Sequence, residues 1–401
     1  MKHTPVKIIF LLALLSAFPP LSTDMYLPAM PLLQKTWHQS LTVINFTLSG
    51  FFIGFCLSML FYGPLSDKYG RKPPLIVGIA IYTVASLLSG FANSIYPLIA
   101  LRVLQGIGAA SSMVIAMAIT KDLFEGNERQ RILAYMAVIM ALAPMLAPVL
   151  GGVFMTWLSW HWIFFAQALM GVMALGGVAL MKEPLKNRSE GSILATMGLY
   201  GQLFQNRRYL TLVGLFSLIV FVPFSFIGSA KDIYITRFGL SAQGFSYFFA
   251  FNAIMLMAGA FACSQTQKII SSENLMNISF AGMLAAGIIL NSGLLDGPWG
   301  FALPMGLLSF FFGLGRPTSN HLILQQVDEA VGSASSLLVF FYFILGALAV
   351  WFISLDWNNT ILVIARIGVV TNAIALIGGL ILLRGKRQTV FCENFTENEG
   401  L

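Results

Sequence analysis

Long apolar runs, separated by short polar segments, are the feature that most constrains this chain. A helix needs about 20 apolar residues to cross a bilayer, and the sequence offers twelve runs of that kind. Because the bilayer core has no water to pair with open backbone groups, runs of this length must be helical there. The predicted spans are residues 8–31, 42–62, 74–92, 95–119, 132–156, 160–180, 210–235, 243–265, 275–295, 299–324, 329–354 and 361–384. The sequence therefore predicts an all-α polytopic membrane protein.

The composition excludes an ordinary soluble protein. The chain is 57% hydrophobic and 10% charged, whereas a soluble domain carries about 25% charged residues. Twelve spans leave room for short loops and one longer connector, so we expect no soluble domain of useful size. The net charge of +7 then concerns membrane orientation, and we expect no nucleic-acid partner.

The Lys and Arg residues predict the orientation of the spans. Three lie in segments assigned to the outside: Lys35, Lys231 and Arg237. Three lie within predicted spans: Arg102, Arg316 and Arg366. The remaining 17 of the 23 lie in segments assigned to the inside. Basic residues are retained on the cytoplasmic side of membranes, so both termini are expected in the cytoplasm.

The spacing of the spans predicts two halves. Six spans fill residues 1–180, a polar cytoplasmic connector fills 181–209, and six more spans fill 210–384. A short cytoplasmic tail, 385–401, follows. A layout of six spans, a basic central loop and six spans is typical of transporters built from two parallel repeats.

The polar stretch "GPLSDKYGRKPP", residues 63–74, is assigned to the loop between spans 2 and 3. The residues expected to matter there are Gly63, Asp67, Gly70, Arg71 and Lys72. The glycines permit tight turns, and the Asp67 carboxylate can cap a helix N-terminus or pair with Arg71. We expect these contacts to hold the two halves together on the cytoplasmic side. For Lys68 and Lys72, the alternative is a solvated anchor at the membrane surface.

Asp24 is an acid inside span 1, in the stretch "LSTDMYLPAMP". An ionisable group in a span costs about 2.5–3.5 kcal/mol even on mild insertion scales, so a functional site is the default interpretation. Prolines surround it in span 1 and predict a kinked or broken helix: Pro19, Pro20, Pro28 and Pro31. We expect Asp24 to take up and release protons. The alternative is a position near the outer membrane surface, in contact with water.

Span 4 contains "RVLQGIGAA", in which Arg102, Gln105 and Gly106 share one helix face. Small residues on that face predict close helix packing, and an Arg in a span is expected to point into a cavity. Asp24 and Arg102 are the opposite charges of the first-half spans, so we expect them to be coupled in proton transfer. The alternative is a static pair that orients the helices.

Two further stretches carry unusual residues. "APMLAPVLGG" closes span 5 with Pro144, Pro148, Gly151 and Gly152, which predict a bendable, closely packed helix end. In span 10, "GLGRPTSNH" carries Arg316 and Asn320. Arg316 either contacts an anionic substrate in a central cavity or extends its charge to the cytoplasmic surface.

A substrate cavity is expected between the halves. We assign four residues to it: Tyr26, Gln105, Arg316 and Asn320. The chain contains 34 Phe residues, and aromatic walls suit bulky apolar ligands. Lys231 and Asp232, near the outer end of span 7, are interpreted as interfacial residues, and their role stays open.

These motifs together resemble the Major Facilitator Superfamily. Residues 63–73 are similar to its signature loop, and 102–110 to its span-4 motif, whose Arg the resemblance ties to proton transfer. Residues 143–152 resemble the antiporter signature, although Ala143 and Ala147 stand where the general pattern has Gly. Ala-Pro at these places is similar to the bicyclomycin/chloramphenicol-resistance branch. The resemblance implies twelve spans in the major facilitator fold, alternating access and proton-coupled efflux of drugs across a bacterial inner membrane.

The sequence contains no Walker-type GxxxxGK[ST], no HExxH and no GxSxG motif, and its four His residues form no cluster. We therefore expect a secondary active transporter and no enzyme, with no catalytic residue, metal or cofactor. The expected partners are an amphipathic small molecule, protons and lipid, and we expect a monomer. The alternative function is a dedicated exporter of one anionic natural product, such as a siderophore; a non-transporting receptor is a third.

Overall fold

The computed structural model describes residues 6–185, 193–294, 296–327 and 331–396. Within these residues, twelve helical segments are long and apolar enough to cross a membrane. The predicted all-α architecture with twelve spans is therefore confirmed, and each of the twelve overlaps its predicted range.

The helices follow one another with short connections. In chain order they are α1 Val6–Asp24, α2 Met30–Thr36, α3 Leu41–Tyr69, α4 Lys72–Ser89, α5 Ile95–Leu123, α6 Gly126–Trp157, α7 Trp160–Leu180, α8 Ile193–Gln205, α9 Arg207–Ser217, α10 Phe221–Lys231, α11 Ala242–Thr266, α12 Ser272–Asn291, α13 Gly297–Leu324, α14 Val331–Ile353 and α15 Thr360–Thr396. Two spans are composite. A 3₁₀ turn at Leu27–Ala29 joins α1 to α2, and a π-helical segment, Asp232–Arg237, extends α10.

Serine side chains begin several of the helices. The Ser40 Oγ accepts the Val43 N–H at 3.3 Å at the start of α3, and the Ser241 Oγ accepts the Gly244 N–H at 3.0 Å at the start of α11. Each hydroxyl replaces the backbone acceptor that the first turn of a helix lacks. These caps fix where both helices enter the bundle.

Span 1 is broken at the predicted functional acid. Helix α1 ends at Asp24, four residues before Pro28, and a proline ring clashes with the carbonyl of the residue four positions earlier. Pro19 and Pro20 lie inside α1 without ending it. The predicted break therefore exists, and Pro28 accounts for its position.

The stretch 63–74 is less of a loop than the sequence predicts. Helix α3 continues through Tyr69, so Gly63 lies within a helix rather than in a tight turn. Gly70 has φ of +94° and does make the turn, and α4 begins at Lys72. At the other end of the chain, α15 continues to Thr396, beyond the predicted end of span 12. Residues 397–401 of the predicted tail lie outside the described residues.

Close backbone contacts hold corresponding helices together in the two halves. A Cβ placed on Gly106 of α5 would meet the carbonyl oxygen of Phe51 in α3. In the second half, a Cβ on Gly313 of α13 would meet the carbonyl oxygen of Leu256 in α11. Spans 2 and 4 thus pack as spans 8 and 10 do, in agreement with a repeat of two six-helix halves.

The halves meet mainly through α3 with α14 and α6 with α11. Aromatic rings cross the boundary: Phe52 lies 5.0 Å from Phe224, and Phe55 lies 4.8 Å from Phe343, between ring centroids. Direct hydrogen bonds between the halves, among the described residues, lie towards the end of the bundle where α3 begins and α14 ends. We call this the sealed end.

We expect Gly106→Ala to lower the thermal unfolding midpoint of the purified protein in detergent. The added methyl forces α3 and α5 apart, and overpacking of this kind costs about 1–3 kcal/mol. Gly214→Ala in α9 is the matched control, because open space surrounds that position. Equal midpoints for the two variants would contradict the close contact.

Candidate transport site

A cavity of about 280 Å³ lies between the two halves. Its wall is mostly aromatic and aliphatic, as predicted, with helices of both halves contributing. The wall includes Asp24, Pro144, Phe224, Phe312, Arg316 and Tyr342. Two side chains on the wall carry charge: Asp24 from the first half and Arg316 from the second. The cavity therefore joins an apolar surface to one acid and one base.

Asp24 reaches the cavity because α1 ends there. Its side chain is 5% exposed, and its Oδ1 accepts a hydrogen bond from the Thr23 Oγ1 at 2.8 Å. A carboxylate at a helix C-terminus faces the negative end of the helix dipole, and the surrounding wall offers mostly carbon. Both conditions make the ionised form costly. The structure thus places Asp24 within the protein, away from the outer surface that the alternative interpretation requires.

Arg102 does not point into the cavity, contrary to the prediction. It is fully buried, and its Nη1 donates to the carbonyl oxygen of Ser22 at 2.9 Å and to the Gln105 Oε1 at 2.5 Å. Its guanidinium carbon lies 4.8 Å from the centroid of the Phe51 ring. Among the described residues, no Asp24 oxygen lies within 4.0 Å of an Arg102 nitrogen. Arg102 instead holds the backbone two residues before the acid.

Gln105 extends this buried network. Its Nε2 donates to the Ser86 Oγ and to the Gln167 Oε1, both at 2.7 Å, while the Gln167 Nε2 donates to the Leu21 carbonyl at 3.2 Å. Gln167 and Ser86 were not predicted from the sequence as members of this network. The available signal was a polar amide in the apolar run "IFFAQALMG" of span 6. Helices α4, α5 and α7 together anchor the end of α1.

Three of the four residues assigned to the cavity, Tyr26, Gln105 and Asn320, are absent from its wall. Tyr26 and Gln105 are fully buried within the first half and are absent from the cavity wall. The Tyr26 ring lies 5.2 Å from the guanidinium of Arg102. For Tyr26, the reason is the break in span 1. It turns the chain after Asp24 and directs the Tyr26 side chain towards α5 and α7.

Arg316 does lie on the cavity wall. Its guanidinium carbon is 5.8 Å from the Phe312 ring and 5.6 Å from the Tyr342 ring. The Tyr342 hydroxyl donates to the Asn320 Oδ1 at 2.9 Å, so Asn320 supports a wall residue without lining the cavity itself. In the described part of the chain, no carboxylate lies within 4.0 Å of Arg316. Its positive charge is therefore available to a ligand.

Arg71 is the centre of the contacts in the stretch 63–74. It is buried, and it donates to the Asp122 Oδ2 at 2.7 Å, the Asp67 Oδ1 at 2.5 Å and the Ser66 Oγ at 2.8 Å. Burial lowers the pKa of Arg71, but the hydrogen bonds and charges of Asp122 and Asp67 outweigh it and leave that pKa above its usual value. The predicted Asp67–Arg71 pair is present. It lies within the first half, so the predicted contact between halves is not formed here.

Glu183, and not Asp67, caps the N-terminus of α4. Its two carboxylate oxygens accept the backbone N–H groups of Arg71 at 2.8 Å and Lys72 at 3.0 Å. A Cβ on Gly70 would lie 2.8 Å from the Glu183 Oε2. Lys72 donates to the carbonyls of Ala179, in the last turn of α7, and Met181, just beyond it, so it is not a solvated anchor. The spacing of residues in the sequence could not predict that Glu183 caps a turn more than a hundred residues earlier in the chain.

The proline-glycine stretch of α6 joins the halves. A Cβ on Gly151 would meet the Met25 carbonyl, and one on Gly152 would lie 2.8 Å from the Ser246 Oγ. That hydroxyl donates to the Pro148 carbonyl at 2.6 Å. The small residues therefore let α6 contact both the broken end of α1 and helix α11 of the second half.

A second group of hydrogen bonds closes the sealed end. The Thr42 Oγ1 donates to the Ser354 carbonyl at 2.6 Å, and the Ser49 Oγ donates to the Ala347 carbonyl at 3.2 Å. Between them lies Lys231, which is 1% exposed. The interpretation of Lys231 as an interfacial residue is therefore wrong, because both halves bury it.

Among the described residues, no group of three or more His, Cys, Asp or Glu side chains is placed to hold a metal ion.

A sequence model of the Major Facilitator Superfamily matches residues 12–350 of the chain. The chain belongs to this superfamily. It is therefore a secondary transporter and a multi-pass membrane protein.

Bacterial members of the superfamily resemble the chain over most of its length. An uncharacterized MFS-type transporter, YdgK, of Bacillus subtilis is 29% identical over 95% of this chain and 96% of its own. A bicyclomycin resistance protein homolog of Haemophilus influenzae is 28% identical over 85% and 87%. The multidrug resistance protein MdtL of Vibrio parahaemolyticus is 27% identical over 91% and 92%. The predicted relationship to this branch of the superfamily is confirmed.

The fold matches solved structures of the superfamily. The crystal structure of a D-xylose-proton symporter superposes with a TM-score of 0.75, covering 94% of this chain and 97% of its own at 14% identity. At that identity the similarity concerns the fold alone. It agrees with two halves around a central cavity, here closed on the side of the sealed end.

We expect Gly70→Ala, in the stretch 63–74, to lower the thermal unfolding midpoint of the protein, while Gly63→Ala leaves that midpoint unchanged. A φ of +94° is costly for any residue with a Cβ, about 1–3 kcal/mol, and the methyl would also press on Glu183. Gly63 lies in a helix with open space beside it. The measurement is the thermal midpoint of each variant in detergent. Equal loss in both would show that the turn geometry is not the reason for the glycine.

Proposed function

We propose that this transporter exports small organic molecules from the bacterial cytoplasm in exchange for protons. The observation that carries the proposal is Asp24, an acid on the wall of an otherwise mostly apolar cavity at a break in span 1. The names of the relatives support the direction of transport, since two are called bicyclomycin and multidrug resistance proteins.

In the proposed cycle, one site between the halves is exposed to the two sides of the membrane in turn. In the cytoplasmic (inner) membrane, with both termini in the cytoplasm, the sealed end faces outwards. When it opens, Asp24 takes a proton from outside and becomes neutral. After it closes, a substrate entering the cavity from the cytoplasm favours loss of that proton to the inside. Proton and substrate exclude one another, so each outward step of substrate is matched by an inward step of proton.

Arg102 acts in this scheme as a positioning residue. Its hydrogen bond to the Ser22 carbonyl, with that of Gln167 to Leu21, fixes the end of α1. The charge of Arg102 acts on Asp24 over a distance, without a direct ion pair. The proposal of coupled roles for the two residues rests on this backbone contact.

The stretch 63–74 and the proline-glycine stretch of α6 fit gating roles in the same scheme. Asp67 is half-exposed, and its partner Arg71 is buried. Both lie at the end of the bundle opposite the sealed end. They would meet the second half when that end closes. Gly151 and Gly152 would let α6 move against α1 and α11.

We expect Asp24→Asn to abolish substrate export driven by a pH gradient, with normal amounts of protein in the membrane. The amide has the same shape but cannot carry the proton. Asp296→Asn, at an exposed position before α13, is the matched control and should transport normally. The measurement is drug susceptibility of a pump-deficient bacterium, with and without an uncoupler, followed by vesicle transport. Full export by the Asp24 variant would end the proposal.

A second candidate function is export of one anionic natural product, such as a siderophore. The observation that favours it is Arg316, a cation on the cavity wall with Phe312 and Tyr342 beside it. A guanidinium beside aromatic rings suits an acidic group on an aromatic body. The two candidates differ in the range of substrates, and the amphipathic drugs of the first include neutral molecules.

We expect Arg316→Ala to reduce export of anionic substrates much more than export of neutral ones. The guanidinium provides the positive charge of the cavity, whereas neutral ligands depend on its apolar wall. Arg366→Ala removes an exposed Arg of α15 that does not line the cavity and serves as the control. Equal losses for anionic and neutral substrates would rule out the second candidate.

A further inference from the structure

Lys231 is a cation buried where the two halves meet. It is the last residue of α10, and the chain continues from it as the π-helical segment Asp232–Arg237. Insertions of this kind in a helix are frequent at functional sites. The side chain is 1% exposed, although the ammonium stands in a membrane span. Its burial demands an explanation, because no carboxylate oxygen lies within 4.0 Å of it in the described part of the chain.

Asn45 of the first half supplies the contact that compensates this burial. The Lys231 Nζ donates to the Asn45 Oδ1 at 2.7 Å and to the Gly228 carbonyl of its own helix. The Asn45 Nδ2 donates in turn to the Gly228 carbonyl at 3.0 Å and the Ser354 Oγ at 2.9 Å. Asn45 is itself fully buried. One amide of α3 therefore makes three hydrogen bonds to the other half, two to α10 and one to Ser354, just after α14.

The energetics of this arrangement depend on both halves being in contact. A buried ammonium bonded to neutral oxygens has given up its water for two or three hydrogen bonds. If the halves separate at the sealed end, water can replace Asn45 as a partner of the ammonium. If Asn45 is absent while the halves stay together, a buried charge loses a partner, which is far more costly than the loss of an ordinary hydrogen bond.

We propose that Asn45 and Lys231 form a reversible lock on the sealed end of the transporter. Asn45 makes closure tolerable by pairing with the ammonium, and the ammonium keeps closure marginal because it favours return to water. The pair thus sets the balance between the two states of the sealed end. This role goes beyond proton-coupled export, since it holds whichever substrate or ion the cavity takes.

The test is a double-mutant cycle read out as a distance between the halves. Spin labels at Thr36→Cys and Asn358→Cys, exposed positions near the sealed end, report its opening. The background lacks the native cysteines Cys56, Cys263 and Cys392. The full-length protein in liposomes gives the ratio of long to short distances, which is the ratio of open to closed states.

We expect Asn45→Ala to raise this ratio by about tenfold or more when Lys231 is present. In the Lys231→Met background, the same substitution should also raise the ratio, but by a factor at least several times smaller. The reason is that no buried charge is then left unpaired. Strong dependence of one effect on the other is the signature of the lock. Equal effects in both backgrounds would overturn the proposal.

Ser49→Ala is the matched control for a neutral bond across the same boundary. It removes the hydrogen bond to the Ala347 carbonyl, and its effect should be the same with Lys231 or with Lys231→Met. Membrane levels of every variant are measured, and Asn45→Ser takes the place of Asn45→Ala if the latter fails to insert. Because the readout is a distance, it is independent of the outcome for Asp24→Asn. A failed lock and a failed proton site are therefore distinguishable.

Discussion

The structure depends on how the protein satisfies a helix that ends inside the membrane. The last carbonyls of α1 lack partners within the helix, and a bilayer core supplies no water to them. Gln167 and Arg102 donate to two of these carbonyls, at Leu21 and Ser22. That contact makes the break permanent, and the break puts the carboxylate of Asp24 on the cavity wall. A polar cluster within the first half thereby determines the chemistry of the space between the halves.

The same solvent constraint explains the two kinds of contact between helices. Within each half, glycines bring backbones together, as Gly106 does in the first half and Gly313 in the second. These close backbone contacts depend on packing and not on side-chain hydrogen bonds that water could replace. Between the halves, the sealed end uses side-chain hydrogen bonds such as those of Asn45. Such bonds can be exchanged for water, so a boundary built from them can open.

Sequence reasoning succeeded where the signal is local. The twelve spans, the break near Pro28, and the pair of Asp67 with Arg71 each depend on neighbours within about one helix turn or on length alone. It failed where a partner lies far along the chain. Glu183 caps the turn after Gly70 from more than a hundred residues away, and Gln167 reaches α1 from span 6. Tyr26 was assigned to the cavity because the direction of the chain after a break cannot be inferred from spacing.

The sequence by itself determined that this chain is a twelve-helix membrane protein with ionisable groups that require an explanation. Hydrophobicity and the cost of open backbone groups in lipid leave no other architecture. Only the tertiary structure decided which of those groups share a space. It placed Asp24 and Arg316 on one cavity, buried Arg102 behind the wall, and joined Lys231 to Asn45 across the halves. The physical reason is that a charge in a membrane must find a partner, and packing alone determines which partners are near.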